Sequence, residues 1–391
     1  MKKKILFMLS SMNIGGVEKS FLSLLSTIEK EKYEITLLLL EKKGEFLSFV
    51  PDWVTVKEAS WFITIKPVIL QSPYKTVCEY FINWNLHRIP GFIITYFISE
   101  KLDDRYLYYE HVMKNVPPES TKYDLAIAYQ GPTDIIDFYI SNKVQAAKKI
   151  SWIHFDVSKH QINKKLYKKL YGKFHDLVVV SDEARQQLVQ LIPSAEGKTR
   201  IVPNIINDEL IIEMSKEAII FDPKYKGLKI LTVGRLSEEK GQDLAVRVLS
   251  KLRENGFNVR WYCIGEGKYR EKLESLIKEF GIEENFILLG SKTNPYPYMA
   301  QADIYVQTSR HEGYCLTLAE AKCLDKPIVT TNFIGAFEQI IDGENGYIVD
   351  LNEDEIYSAI KLFIENKEIR DNLSKVLSKK KQKREQPQFS V

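Results

Sequence analysis

The chain has only four cysteines among its 391 residues, and Cys78, Cys263, Cys315 and Cys323 form no Cys-x-x-Cys pair. Four scattered thiols make no disulfide framework and point to a reducing, cytoplasmic setting. No stretch of about 18 uninterrupted apolar residues occurs, so no membrane-spanning helix is expected. Net charge is only +3, from 55 Lys and Arg against 52 Asp and Glu, which is too little to imply nucleic-acid binding through bulk charge. No two aspartates are separated by a single residue, so an Asp-x-Asp metal–diphosphate motif is lacking. No His, Cys and carboxylate cluster has metal-ligand spacing. Neither a metal nor a cofactor is therefore expected. The Gly-x-Gly-x-x-Gly dinucleotide fingerprint is missing too.

What is present describes a folded α/β protein. Hydrophobic residues make up 45% and charged residues 27%, and the length suits two domains of about 150–200 residues. Met1-Lys2-Lys3-Lys4 ahead of Ile5–Leu9 resembles a secretory start. The apolar run is short, however, and Gly15-Gly16 and Glu18-Lys19 follow without a small-x-small cleavage site, so it reads as a buried first strand. Helical spacing from Val17 to Ile28 and a second buried run from Tyr33 to Leu40 complete a βαβ unit. Further strands are expected at 125–128, 150–154, 177–180 and 201–204, with Ser181 capping a helix. The joint between the domains is placed in the polar stretch before Gly227, dividing the chain into 1–206 and 207–375. A second βα series follows: strands at 228–233, 259–264, 286–289, 304–307 and 327–331, and helices at 243–253 and 268–280. The fold class is α/β with two Rossmann-like, doubly wound domains.

Two segments stand apart. Residues 61–116 are rich in Trp, Tyr, Phe and Ile and are punctuated by Pro67, Pro73, Pro90 and Gly91. They read as several short helices, either covering one face of the sheet or forming an acceptor-side or membrane-facing surface. Residues 376–391 read as a basic tail, either a solvated end or a contact with anionic lipid.

The most specific local pattern is His311-Glu312-Gly313-Tyr314-Cys315-Leu316-Thr317-Leu318-Ala319-Glu320. It follows a strand and opens a helix near Leu316, whose first-turn amides lack intrahelical partners and can hold a phosphate between two carboxylates. A second is Gly234-Arg235 followed by Lys240, a glycine turn with two cations suited to a diphosphate. Gly15-Gly16 would let backbone approach a ligand closely. His154 falls at the carboxyl end of a strand, where α/β sheets place ligand-contacting groups.

Together these residues resemble the retaining glycosyltransferases of the large GT-B family four. The likeness is strong from about Val202 to Asp350 and weaker before it. The resemblance implies a cleft between two domains. Glu312 would contact the donor sugar and Glu320 the ribose hydroxyls. Gly313, Tyr314, Cys315, Leu316 and Thr317 would supply amides to sugar and diphosphate. It gives Arg235 and Lys240 the phosphates, Gly16 the loop closing over them, and Lys292 and Asn294 the base, with Gly265 and Gly267 in the turn beside it. His154 would lie near the donor sugar and the attacking hydroxyl. The implied partners are a nucleotide-sugar donor, with UDP-sugar favoured, and a glycan or lipid-linked acceptor in capsule or exopolysaccharide assembly, with a peripheral contact at the inner face of the membrane. Asp325 and the Gly335-Ala336 pair depart from the family pattern, as does the end of the chain. A nucleotide-sugar epimerase and a non-catalytic sugar-nucleotide-binding subunit are the competing readings.

Overall fold

The computed structural model describes residues 2–154, 157, 162–219 and 221–381. The chain divides into two compact units that meet in sequence between Pro203 and Asn204.

The first unit holds β1 (Lys3–Leu9), β2 (Tyr33–Leu39), β3 (Thr55–Glu58), β4 (Lys122–Gly131), β5 (Gln145–Ile153), β6 (Asp176–Val179) and β7 (Thr199–Ile201). Its helices are α1 (Gly16–Ser26), α2 (Phe62–Leu70), α3 (Pro73–Ile82), α4 (Ile89–Lys101), α5 (Tyr106–Val112), α6 (Asp134–Lys143), α7 (Lys164–Gly172) and α8 (Asp182–Leu191). The strands pair in the order β3-β2-β1-β4-β5-β6-β7, and every pairing is parallel. A sheet covered on both faces needs unbroken apolar strands. Ile5, Leu6, Phe7, Met8 and Leu9 meet that need in the centre and are fully buried.

Four helices, α2 to α5, occupy the aromatic insertion. Ile65 of α2 and Tyr109 of α5 join the main core of this unit, and Trp61 stacks on Tyr139 at 4.6 Å. These two helices therefore cover the sheet, as the blander expectation had it. Ser181 caps α8 as expected, accepting a hydrogen bond from the Ala184 amide at 3.2 Å.

The second unit holds β8 (Leu228–Val233), β9 (Val259–Ile264), β10 (Phe286–Leu288), β11 (Ile304–Gln307), β12 (Ile328–Thr331) and β13 (Tyr347–Val349). Its helices are α9 (Asp208–Ser215), α10 (Gln242–Glu254), α11 (Arg270–Glu279), α12 (Tyr296–Gln301), α13 (Leu316–Cys323), α14 (Ile334–Phe337), α15 (Glu353–Glu365) and α16 (Lys367–Lys381). The all-parallel order is β10-β9-β8-β11-β12-β13. Strand order reverses between β8 and β11, the switch point at which doubly wound sheets leave a crevice at the carboxyl ends of their strands.

The chain end differs from the expectation of a separate tail from residue 376. α16 runs to Lys381 with Leu373 and Leu377 buried, because two leucines four apart share one face of the helix. The remainder of the expected tail, 382–391, lies outside the described residues.

Candidate functional site

The loops leaving β8 and β11 flank the switch point of the second unit, and the two charged motifs lie on them. After β8, Gly234 turns the chain and Lys240 folds back, so that its side chain passes within 3.8 Å of where a Gly234 Cβ would be. Gly241 then takes a left-handed φ of 66° and starts α10. A Cβ there would lie 2.0 Å from the Thr308 carbonyl oxygen, so only glycine lets the two loops touch.

Side chains brace this contact. Arg310 grips Asp243 with two 2.7 Å bonds and also donates to the Glu238 carbonyl at 2.7 Å. The Arg310 amide donates to the Glu239 carbonyl at 2.8 Å, and the Thr308 hydroxyl to the Lys240 carbonyl at 3.2 Å. A bidentate Arg–carboxylate pair fixes direction as well as distance.

The bracing brings Lys240 Nζ to 2.5 Å from Glu312 Oε1. The same oxygen accepts from the Ser309 hydroxyl at 2.9 Å and the Gln307 amide at 3.2 Å. Gln307 is oriented in turn by the Tyr305 hydroxyl at 2.7 Å. All these bonds converge on Oε1, and Oε2 has no partner among the described residues, so it remains an acceptor for a ligand hydroxyl. Burial works to lower the Lys240 pKa, but the Glu312 carboxylate, joined by Cys315 and Glu239, outweighs it and the net shift is upward. The lysine is thus held charged. Arg235 is exposed, and its guanidinium makes no hydrogen bond or ion pair among the described residues, which leaves five donors available.

The start of α13 completes the group. Cys315 occupies the N-cap with φ 55°, and no side chain caps the helix. The loop ahead of it is supported from α14. A Cβ on Gly335 would fall 1.7 Å from the Gly313 carbonyl oxygen, and the Gln339 amide donates to the Tyr314 and Cys315 carbonyls. The departure at Ala336 is accommodated because that residue is buried in the core. Gly313 itself has open space where a Cβ would stand. Thr317 reaches Gln307 at 3.5 Å, and Glu320 sits in the second helical turn, buried, where it accepts from the Tyr296 hydroxyl at 3.0 Å.

Other residues singled out from the sequence are engaged differently. Gly265 and Gly267 press on the β8 loop. Cβ atoms there would lie 1.9 Å from the Gly234 oxygen and 2.1 Å from the Leu236 oxygen, so their immediate task is backbone packing. Asn294 spends its amide on the Met214 carbonyl at 2.8 Å and Glu217 at 2.6 Å, anchoring its loop to the end of α9. Lys292 Nζ lies 5.9 Å from the Tyr298 ring.

Gly15, Gly16 and His154 belong to the first unit. A Cβ on Gly15 would meet a Glu18 carboxylate oxygen at 2.3 Å, so the chain's own carboxylate fills the space beside the start of α1. His154 follows β5, stacks parallel to Trp152 at 6.0 Å and lies 4.7 Å from Tyr129. Burial pushes its pKa down to about 3, against a backbone hydrogen bond to Tyr129 that raises it, so the ring is neutral at pH 7. Its Nε2 has no partner among the described residues. Phe155 and Asp156, the rest of that sequence segment, lie outside the described residues.

Sequence reasoning missed Arg310, Gln307, Ser309 and Tyr296. Arg310 is 67 positions from its partner Asp243, and no local signal marks such a pair.

Comparison with known proteins bears on this site. Residues 215–381 match the family described as Glycosyl transferases group 1. A 4-alpha-N-acetylgalactosaminyltransferase of Campylobacter jejuni, named for an N-acetylgalactosamine-N,N'-diacetylbacillosaminyl-diphospho-undecaprenol acceptor, is 32% identical over 212 residues, 54% of this chain and 56% of the relative. An uncharacterised glycosyltransferase of Methanocaldococcus jannaschii is 27% identical over 170 residues, 42% of this chain and 41% of the relative. The chain thus spans about half the length of the curated relatives it matches. Among solved structures, Anabaena HepE in complex with UDP and glucose superimposes with a TM-score of 0.70 at 18% identity, over 96% of this chain and 94% of that one. At that identity the likeness concerns the fold. The braced site of the second unit lies inside the residues that match Glycosyl transferases group 1, and the fold is like that of the HepE structure.

Proposed function

We propose that this chain is a hexosyltransferase that moves a sugar from a nucleoside diphosphate donor, favoured to be a UDP-sugar, onto a glycan or lipid-linked acceptor with retention of anomeric configuration. The observation that carries the reading is the cross-braced pair of loops that sets Lys240 on Glu312 beside exposed Arg235 and the uncapped start of α13.

As the donor breaks, negative charge grows on the departing diphosphate. Arg235, Lys240 and the amides from Gly313 to Thr317 would neutralise it where it forms, which lowers the barrier more than it tightens binding. No metal is invoked, because the sequence offers no Asp-x-Asp pair for one. Glu312 Oε2 would accept a donor-sugar hydroxyl and Glu320 the ribose hydroxyls. Attack from the same face as departure, with the leaving phosphate oxygen taking the acceptor proton, asks the protein mainly for positioning. A neutral His154 suits orientation of the sugar rather than removal of a proton.

Two comparisons support the finer parts. The HepE complex is described with UDP and glucose, and the Campylobacter relative is named for a diphospho-undecaprenol acceptor. By extension the acceptor here would be lipid-linked, at the inner face of the membrane, in capsule or exopolysaccharide assembly.

The test is a panel of sugar nucleotides. One member should raise the melting temperature and release its nucleoside diphosphate, and the transferred sugar should keep its anomeric configuration by NMR. Interconversion of the donor without diphosphate release would identify an epimerase. Binding without turnover under any acceptor condition would identify a non-catalytic subunit.

A further inference from the structure

Helices that face water carry polar residues on their outer side. α3 and α4 do not. On α4, Phe92 faces inward, meeting Tyr80 at 5.8 Å and Tyr96 at 6.0 Å. The other side of the same helix exposes Ile93, Ile94 and Phe97, each at least half accessible. At the end of α3, Phe81 and Ile82 are more open still, and Trp84 in the turn after it is 85% exposed. Of the nineteen large apolar side chains exposed among the described residues, eleven fall between 62 and 102. Scattered exposed leucines are ordinary, whereas such a concentration marks an interaction surface. Trp84 also has φ 55°, in the left-handed region that bulky side chains rarely adopt.

The segment that carries this surface has a small basic excess: residues 62–102 contain Lys66, Lys75, Arg88 and Lys101 against Glu79 and Glu100, with Lys66 paired to Glu41 at 2.8 Å. α7 adds a second, independent row. Leu166, Tyr167, Leu170 and Tyr171 bury one of its faces, and Lys164, Lys165, Lys168 and Lys169 line the other. Three cations on or just after this helix reach the end of α4, the loop after it and the start of α5. Lys165 donates to the Leu102 carbonyl, Lys169 pairs with Asp104 at 2.8 Å, and Lys173 donates to the Tyr106 hydroxyl at 2.7 Å. Lys164 and Lys168 make no ion pair or hydrogen bond among the described residues.

We propose that the outer sides of α3 and α4, bordered by the lysines of α7, dock on the headgroup region of an anionic lipid bilayer. An apolar face with an aromatic tip and a basic rim fits the boundary between acyl chains and phosphates. α4 has 13 residues and spans about 20 Å, short of the roughly 30 Å hydrocarbon layer, so it lies in the plane of the surface. No helix among the described residues is long and apolar enough to cross. A second copy of the chain fits less well, since an isologous pairing would turn two basic borders toward one another. The docking is independent of the sugar-transfer reading.

The test uses the full-length chain and vesicles of phosphatidylcholine, alone or with about one third phosphatidylglycerol, the anionic component the lysines would meet. The chain should sediment with the anionic vesicles, at least tenfold more weakly with neutral ones, and less as salt rises. Tryptophan emission should shift to the blue on binding. Phe81→Ser/Trp84→Ser/Phe97→Ser should lose at least tenfold in binding, and Lys164→Glu/Lys168→Glu should lose the preference for anionic vesicles, with circular dichroism unchanged in both. Trp84→Phe, a variant that keeps the fold, should still sediment but without the blue shift. The proposal is overturned if the wild type stays in the supernatant with both vesicles. It is equally overturned if the triple variant sediments like the wild type, or if the blue shift survives in Trp84→Phe. A dimer that the triple variant turns into monomer, with no vesicle binding, would assign the surface to a second copy instead.

Discussion

The second unit ties its polar loops together, while the first leaves a large apolar surface open. Around β8 and β11, Arg310, Thr308, Gln307 and Ser309 all spend their hydrogen bonds on holding two loops and one ion pair in place. Around α3 and α4, composition does the work, and Trp84, Phe81 and Phe97 are exposed to water. On the two proposed readings, the contrast reflects two kinds of partner. Groups that stabilise developing charge must be fixed to within a fraction of an ångström. A surface that meets something soft needs only the right polarity.

The comparison breaks first if the two faces of α4 behave alike. Phe92→Ala should cost about 3–5 kcal/mol in urea unfolding, as for a buried aromatic, while Phe97→Ala on the same helix should stay within about 0.5 kcal/mol. On the second unit, Arg235→Ala and Lys240→Ala should each lower turnover by about 10²–10³-fold, or roughly 3–4 kcal/mol of barrier, with the melting temperature of Arg235→Ala unchanged. Wild-type turnover in both would empty the braced site of its assigned chemistry. Gly241→Ala tests the bracing itself. Strain at φ 66° and the clash with Thr308 should destabilise by about 1–3 kcal/mol and weaken donor affinity, whereas Gly313→Ala, with open space at its Cβ, should leave stability nearly untouched.

The smallest effect concerns a buried acid in the first unit. Asp137 is fully buried, and burial pushes its pKa up to about 7, although Ser151 and the Thr133 amide donate to it. A carboxyl raised in the folded state contributes stability at low pH, and that contribution is lost as pH climbs from about 4 to 7. Asp137→Asn, which mimics the protonated acid, should match the wild type near pH 4. It should exceed it by a few degrees of melting temperature at pH 8. An equal difference at both pH values would contradict the shift.

Much of the second unit was legible in the sequence because its signals are local. β8, β9 and β11 have the bounds that the apolar runs indicate, and α13 begins at Leu316, where the motif places it. The bracing was not legible. Arg310 looks like any surface cation until the fold brings Asp243 to it, and Asn294 looks available until α9 claims its amide. In the first unit β3 went unread because it is a four-residue edge strand, largely exposed, with no apolar run. α6 and α7 were overlooked too, although the spacing of Leu166, Tyr167, Leu170 and Tyr171 carries the helical period.

The Lys240–Glu312 contact has a consequence for selectivity. At 2.5 Å, the cation is already satisfied before any donor arrives. On the proposed reading, an incoming anion must compete with a carboxylate for that ammonium. Chloride or a single phosphate brings too little charge and too few contacts to win, whereas a diphosphate that also reaches Arg235 and the α13 amides brings both. On that reading the Glu312 carboxylate screens Lys240 from weaker anions through Oε1, while its Oε2 stays available to the sugar hydroxyl it is assigned to hold.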